Sequence, residues 1–302
     1  MVNMQVNVGG LLMKNPVTSC SGTFESGKQY SDFIDISKLG AVTVKGMSDT
    51  PWEGNETPRL AEIAAGMINC IGLQNPGVHA WVKDDYPWLK QQGATIIANV
   101  VGKSAQGYAN VIEVLEGVDV DAYEVNISCP NVSEGGAAIG SNPKAAAEVV
   151  SVCRKLTKRP LIVKLSPNVT DITEIAKSVE GAGANGLSLI NSVQGMAVDA
   201  KTRRPKISRI IGGMAGPCIK PVALKCVWQC HNAVQLPIIG MGGIASGEDA
   251  VEFMLAGASA VGIGFANFID PTSTVRVIGE IEAYCQENGV SDVNELIGAL
   301  QC

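Results

Sequence analysis

Short apolar and β-branched runs recur along the chain, and each ends at a polar residue or a glycine. Runs at 17–20, 41–45, 95–99, 122–126, 161–165, 186–190, 237–240 and 260–263 have the length and composition of strands. Between them, apolar positions follow the helical period over 79–92, 104–116, 143–156, 171–182, 217–233 and 247–255. Asp171 and Ser246 stand where helix caps belong, and Gly183 and Gly257 where helices stop. Before all of these, residues 3–15 alternate around Gly9-Gly10, which predicts an N-terminal hairpin. Eight strands alternating with helices in 302 residues predict an α/β fold, a (β/α)8 TIM barrel, occupying 1–302 as a single domain. An open doubly wound sheet is the alternative, but no G-x-G-x-x-G turn follows the first strand. Two connections are long, from Gly46 to Val78 and from Asn191 to Gly216. They are expected to be loops covering a site on one face of the barrel.

Composition narrows the function classes. The chain is 46% hydrophobic and 17% charged with 34 glycines, enough for a large core and too apolar for disorder. A net charge of −6 supplies no field for nucleic acid or an anionic membrane, and the basic stretch Lys201 to Lys206 reads as a solvated loop. No apolar run approaches the ~20 residues of a membrane span. The nine cysteines are an odd number with no leader-like segment before them, so reduced thiols in a cytoplasmic protein are expected. Cys226, Cys230 and His231 lack a further Cys or His pair to complete a metal site, and no metal is expected.

In a barrel, reactive groups stand at the carboxyl ends of the strands. Read in order, those ends are Ser21-Gly22, Lys45-Gly46, Asn99, Asn126 with Cys129, Lys164, Asn191-Ser192, Gly242-Gly243 and Gly264-Phe265. Two lysines and three carboxamides with no acidic residue suit a planar, anionic, amide-rich ligand better than a metal. The glycine turns after the last two strands, with a helix starting near Ser246, are the pattern of a phosphate site. Lys164 is compatible with a Schiff-base lysine of an aldolase or with a cation beside an electron-rich ring. The stretch Asn126-Ile127-Ser128-Cys129-Pro130-Asn131 puts carboxamides, a hydroxyl and a thiol together as the chain leaves a strand. It is either a plain turn with a small hydrophobic cysteine or a site with an accessible thiol.

That hexapeptide, with Val163-Lys164-Leu165-Ser166-Pro167-Asn168-Val169-Thr170 and Ile238 to Ile244, resembles the class 1 dihydroorotate dehydrogenases over nearly the whole chain. Asn69-Cys70-Ile71-Gly72-Leu73-Gln74-Asn75-Pro76-Gly77 resembles the class 1B branch. The resemblance implies oxidation of (S)-dihydroorotate to orotate with one flavin mononucleotide (FMN) per chain, in pyrimidine synthesis. Cys129 would take a proton from C5 of the substrate while a hydride leaves C6 for the flavin. Lys45, Asn69, Cys70, Ile71, Gly72, Leu73, Asn126, Asn191 and Ser192 would hold the substrate. Ser21, Lys45, Gly46, Asn99, Asn126, Lys164, Ile190, Gly216, Gly242, Gly243, Gly264 and Phe265 would hold the flavin. The resemblance further implies a homodimer of barrels in a heterotetramer with an electron-transfer subunit that carries FAD and a 2Fe–2S cluster and reduces NAD+. This chain has no cysteine pattern for such a cluster. Phe265 departs from the family, which usually has threonine there. A class 1A enzyme using fumarate, a dihydropyrimidine dehydrogenase-like reductase and a phosphate-sugar aldolase are the competing expectations.

Overall fold

A computed structural model describes residues 2–128 and 136–301. Cys129, the expected base, lies outside the described residues, as do Pro130 and Asn131. The eight central strands are β1 (Val17–Ser19), β2 (Val42–Thr43), β3 (Ile96–Val100), β4 (Ala122–Asn126), β5 (Leu161–Lys164), β6 (Gly186–Leu189), β7 (Ile238–Met241) and β8 (Ala260–Ile263). They form one sheet in the order β1-β8-β7-β6-β5-β4-β3-β2, every neighbouring pair parallel. Their ends fall within two residues of the sequence-based expectation.

The ring closes between β1 and β2 by an unusual seam. β2 is two residues long, and only a bridge of Thr18 with Ala41 joins the two strands directly. The Ser19 hydroxyl supplies what the ladder lacks. It accepts from the Thr43 N–H at 3.1 Å and donates to the Thr43 carbonyl at 3.2 Å. The Thr18 and Thr43 hydroxyls meet at 3.0 Å. The Gly40 N–H donates to the Val17 carbonyl. The hydroxyl thus satisfies a buried donor and acceptor that would otherwise stay unpaired.

All five residues of β4 are buried, because both faces are covered. Tyr123 points outward to the helix layer, where its hydroxyl donates to Glu116. Glu124, the next residue along the strand, therefore faces the barrel interior. The N-terminal hairpin, Val6–Val8 with Leu11–Met13, forms as expected. It covers the amino end of the barrel: Gly9 lies against the Asn185 carbonyl and Val8 against Gly186. That leaves the carboxyl end open.

The outer helices follow the expected segments with two local changes. Residues 79–92 form two helices, Val78–Asp84 and Tyr86–Gln91, parted at Asp85. Pro87 has no N–H and fits only a first turn, so a new helix must begin just before it. Residues 217–233 begin as a 3-10 turn, Pro217–Ile219, before the helix Lys220–His231, with Pro221 again in the first turn. Asp171 and Ser246 are caps, the latter in a full capping box with Asp249. A last helix, Ser273–Glu287, packs on β1 and on the helix Gly247–Leu255.

The two long connections are not loops alone. The first contains strands Leu60–Ile63 and Gly66–Asn69; the second contains Val193–Gly195 and Gly212–Ala215. These join into one four-stranded antiparallel sheet in the order Val193–Gly195, Gly212–Ala215, Gly66–Asn69, Leu60–Ile63. Backbone polar groups of such long segments need partners, and here each segment supplies the other's. The Asn69 side chain adds a bond to the Gly213 carbonyl at 3.0 Å. A small apolar cluster of Ile68, Cys70, Ala197 and Ile207 backs this sheet.

Candidate active site

The carboxyl ends of the strands and the inner edge of the four-stranded sheet enclose about 1160 Å³ of space free of protein atoms, the open mouth included. From the strand ends come Ser21, Lys45 and Gly46, then Asn126 and Lys164, then Ile190, Asn191 and Ser192. From the glycine turns come Gly242, Gly243, Gly264 and Phe265. The rim is Asn69, Ile71, Gly72 and Leu73 on one side and Gly216 on the other. Residues from opposite ends of the sequence, Ser21 and Phe265 among them, are thus gathered in one cavity, as the barrel reading expects.

Two of the expected residues stand apart from the lining. Cys70 is fully buried and turned into the small cluster, its sulfur near the Pro58 carbonyl and 3.4 Å from the Ser208 hydroxyl. Successive residues of an extended chain alternate sides, so Asn69 and Ile71 face the cavity while Cys70 faces away. Asn99 lies one layer down, completely buried. Its amide donates to Ser21 Oγ at 3.3 Å and to the Glu124 carboxylate, and its carbonyl accepts weakly from Asn126 Nδ2.

Glu124 has no counterpart in the sequence reading, which finds no acid at the strand ends. Its residue is 1% exposed. It accepts from Ser188 Oγ at 2.7 Å and from Asn99, and one oxygen lies 3.7 Å from Lys164 Nζ. The carboxylate is satisfied by neutral donors, as a buried charge must be. At 3.7 Å the Lys164 ammonium is paired electrostatically but outside hydrogen-bond distance, so its donors are left to the cavity that it lines. Lys45, the second cation, is held by Glu25 at 2.8 Å near the mouth.

Carboxamide orientation is set locally. Asn126 Oδ1 accepts from both the N–H and the hydroxyl of Ser128, at 3.3 and 3.0 Å. Asn191 Nδ2 donates to the same hydroxyl at 2.9 Å, and its oxygen accepts from the Ser192 N–H. Ser128 therefore links the two carboxamides directly beside the segment that contains Cys129. Cys20 lines the cavity as well. Its sulfur sits 3.8 Å from Met241 Sδ, and burial pushes its thiol up to about 12; Lys164 opposes this and Glu124 adds to it. Cys20 is consequently a neutral thiol at ordinary pH and no base.

The glycine turns fit a phosphate. Gly243 has φ +82°, and a Cβ there would stand 3.0 Å from both the Lys220 nitrogen and the Gly216 carbonyl. A side chain there would press on the protein's own backbone, so only glycine lets the turn pack this closely beside the cavity that it lines. The helix that follows does not serve as the phosphate reading expects. The N–H groups of Ala245 and Ser246 donate to the Asp249 carboxylate, and that of Gly247 donates to Glu280. Asp249 and Glu280 take these donors, so an anion bound at this end would rest on the glycine turns. The donor set of amides, lysines and glycine backbone fits a flavin phosphate and ring, and no group of three or more His, Cys, Asp or Glu among the described residues could hold a metal.

The family model for dihydroorotate dehydrogenase matches residues 3–285. The chain belongs to the dihydroorotate dehydrogenase family. Within it, the protein of Alkaliphilus oremlandii named dihydroorotate dehydrogenase B (NAD(+)), catalytic subunit, is 52% identical over 298 residues, covering 99% of each chain. The proteins of the same name from Bacteroides thetaiotaomicron and Parabacteroides distasonis are 51% and 52% identical, over 100% and 99% of each chain.

Proposed function

We propose that this chain oxidises (S)-dihydroorotate to orotate with a bound FMN, in pyrimidine synthesis. One observation carries the reading: two lysines, three carboxamides (one a layer down) and two glycine turns converge at the carboxyl end of one barrel. Near-full-length relatives are named for this reaction. When bound, the flavin supplies the acceptor for the substrate's hydride. The glycine turns at 242–243 and 264–265, with Ser21, Gly46, Ile190 and Gly216, hold it. Lys164 sets a positive charge against it. Lys45, Asn69, Ile71 to Leu73, Asn126, Asn191 and Ser192 grip the substrate's carboxylate and ring amides. Cys129 takes the C5 proton. Asn99 acts from below, orienting Ser21 and Asn126, and Cys70 supports the rim from behind.

We read the chain as one barrel domain in the cytoplasm, dimerising and joined by a subunit with FAD and a 2Fe–2S cluster that passes electrons to NAD+. The relatives' names, which specify NAD(+) and a catalytic subunit, support that acceptor over fumarate. No helix among the described residues is long and apolar enough to cross a membrane. The test is the visible spectrum of the purified chain, followed by dihydroorotate without air. A yellow protein that bleaches is the expected result. A yellow protein indifferent to dihydroorotate would remove the substrate assignment, and a colourless chain that binds no added FMN would remove the flavin.

A further inference from the structure

We infer that Glu124 is a positioning residue that tunes the redox balance of the site through Lys164. The inference rests on the flavin reading above. Glu124 does not line the cavity, yet it is joined to residues that do. It touches Lys164 directly, and reaches Ser21 and Asn126 through Asn99. The strands set this up by register: Asn99 pairs with Glu124 across β3 and β4, and Ser188 with Lys164 across β6 and β5. In-register neighbours of a parallel pair point to the same side, so all four side chains meet inside the barrel.

A pair buried to 7% and 1% exposure of its side chains is electrically unlike a lone lysine. Attraction at close range in a low-dielectric interior is strong, and an opposite charge beside a cation offsets much of the field it casts on a third group. Reduction of a flavin adds negative charge, which a neighbouring cation stabilises. Lys164 alone would favour the reduced form. Glu124 tempers that preference, which keeps the bound flavin able to give its electrons on to the next acceptor. Ser188 and Asn99 supply the carboxylate's hydrogen bonds, so Lys164, 3.7 Å away, keeps its own donors for the cavity that it lines.

Two variants test this, with FMN as the probe: Glu124→Gln removes the charge and keeps the shape, and Glu124→Asp keeps the charge and draws it back by one methylene. For each, the affinities for oxidised and reduced FMN and the midpoint potential of the bound flavin are measured. Glu124→Gln should favour reduced over oxidised flavin by at least tenfold, a rise of about 30 mV for a two-electron couple. Glu124→Asp should move the potential the same way by less, and it alone carries the test if the glutamine variant does not fold. A merely structural role would weaken both redox forms alike and leave the potential unchanged, which would overturn the inference. A wild-type chain that binds no flavin would sink the flavin reading and this inference together. A wild-type flavoprotein whose potential ignores both substitutions would sink only the role of Glu124.

Discussion

At the scale of single residues, one thiol lines the cavity and another is the proposed base. Cys20 is locked neutral by its surroundings, whereas Cys129 belongs to a segment with Pro130 and two glycines close behind it. A base must be deprotonated to act, so the rate of flavin reduction by dihydroorotate should rise with pH toward an ordinary thiol value of about 8.5. Cys129→Ala should slow that step about 10²–10⁴-fold while orotate still binds; a flat profile in the wild type, or an undiminished rate in the variant, would remove Cys129 from the role. Phe265 is the other residue to probe. It lines the cavity and its ring lies beside Gly216, where the family's usual threonine would offer a hydroxyl. Phe265→Thr should tighten FMN binding by about 1 kcal/mol, roughly fivefold in Kd by fluorescence titration, and unchanged affinity would show that the backbone suffices. Most cavity residues were legible in the sequence because strand ends are recognisable. Glu124 was not, since an acid in an alternating run reads as a solvent-facing position. In a closed barrel the face opposite the helices is also interior.

Among the elements, the glycine turn after β7 matters most to ligand binding. Gly243→Ala must place a side chain at φ +82° and against the backbone of Lys220 and Gly216. The left-handed conformation alone costs roughly 1–2 kcal/mol. The expected result is a lower melting temperature together with a large loss of FMN affinity; normal affinity would place the phosphate elsewhere. Helices and strands of this fold could be read from periodicity because each is decided locally. The four-stranded sheet over the site could not. Its central pairing, Asn69 with Gly213, joins residues 144 positions apart, and no local pattern marks which distant segment will complete a ladder. The same reasoning explains the helix after Ser246. Its capping residue is visible in the sequence, but that Glu280 from another helix takes the Gly247 N–H is a tertiary fact.

For the molecule as a whole, acid stability can be worked out from its paired carboxylates. Burial pulls Asp249 upward, but bonds from Lys220 and the Ala245 N–H outweigh this and hold it below its usual 3.8. Glu116 is likewise raised by burial and lowered more by Tyr123, Thr157 and Arg159, ending below 4.5. A carboxyl with a lower value folded than unfolded contributes stability that is complete above the unfolded value and lost as pH falls through the folded one. The urea midpoint should therefore hold from roughly pH 7 to 5 and fall below about 4. Asp249→Asn should be less stable at neutral pH and lose less on acidification, and a wild-type midpoint steady down to pH 3 would contradict the assignment. The barrel itself was readable as eight strands in a count of residues, but how its first and last-placed staves meet was not. There side-chain hydroxyls, chiefly that of Ser19, stand in for part of the run of backbone hydrogen bonds that joins the other staves. The fold is mechanically a split ring with a clasp. The gap lies directly beneath Ser21 and Lys45, so any spreading of the ring would widen the floor of the cavity first, at a place where a bound ligand would act as the pin.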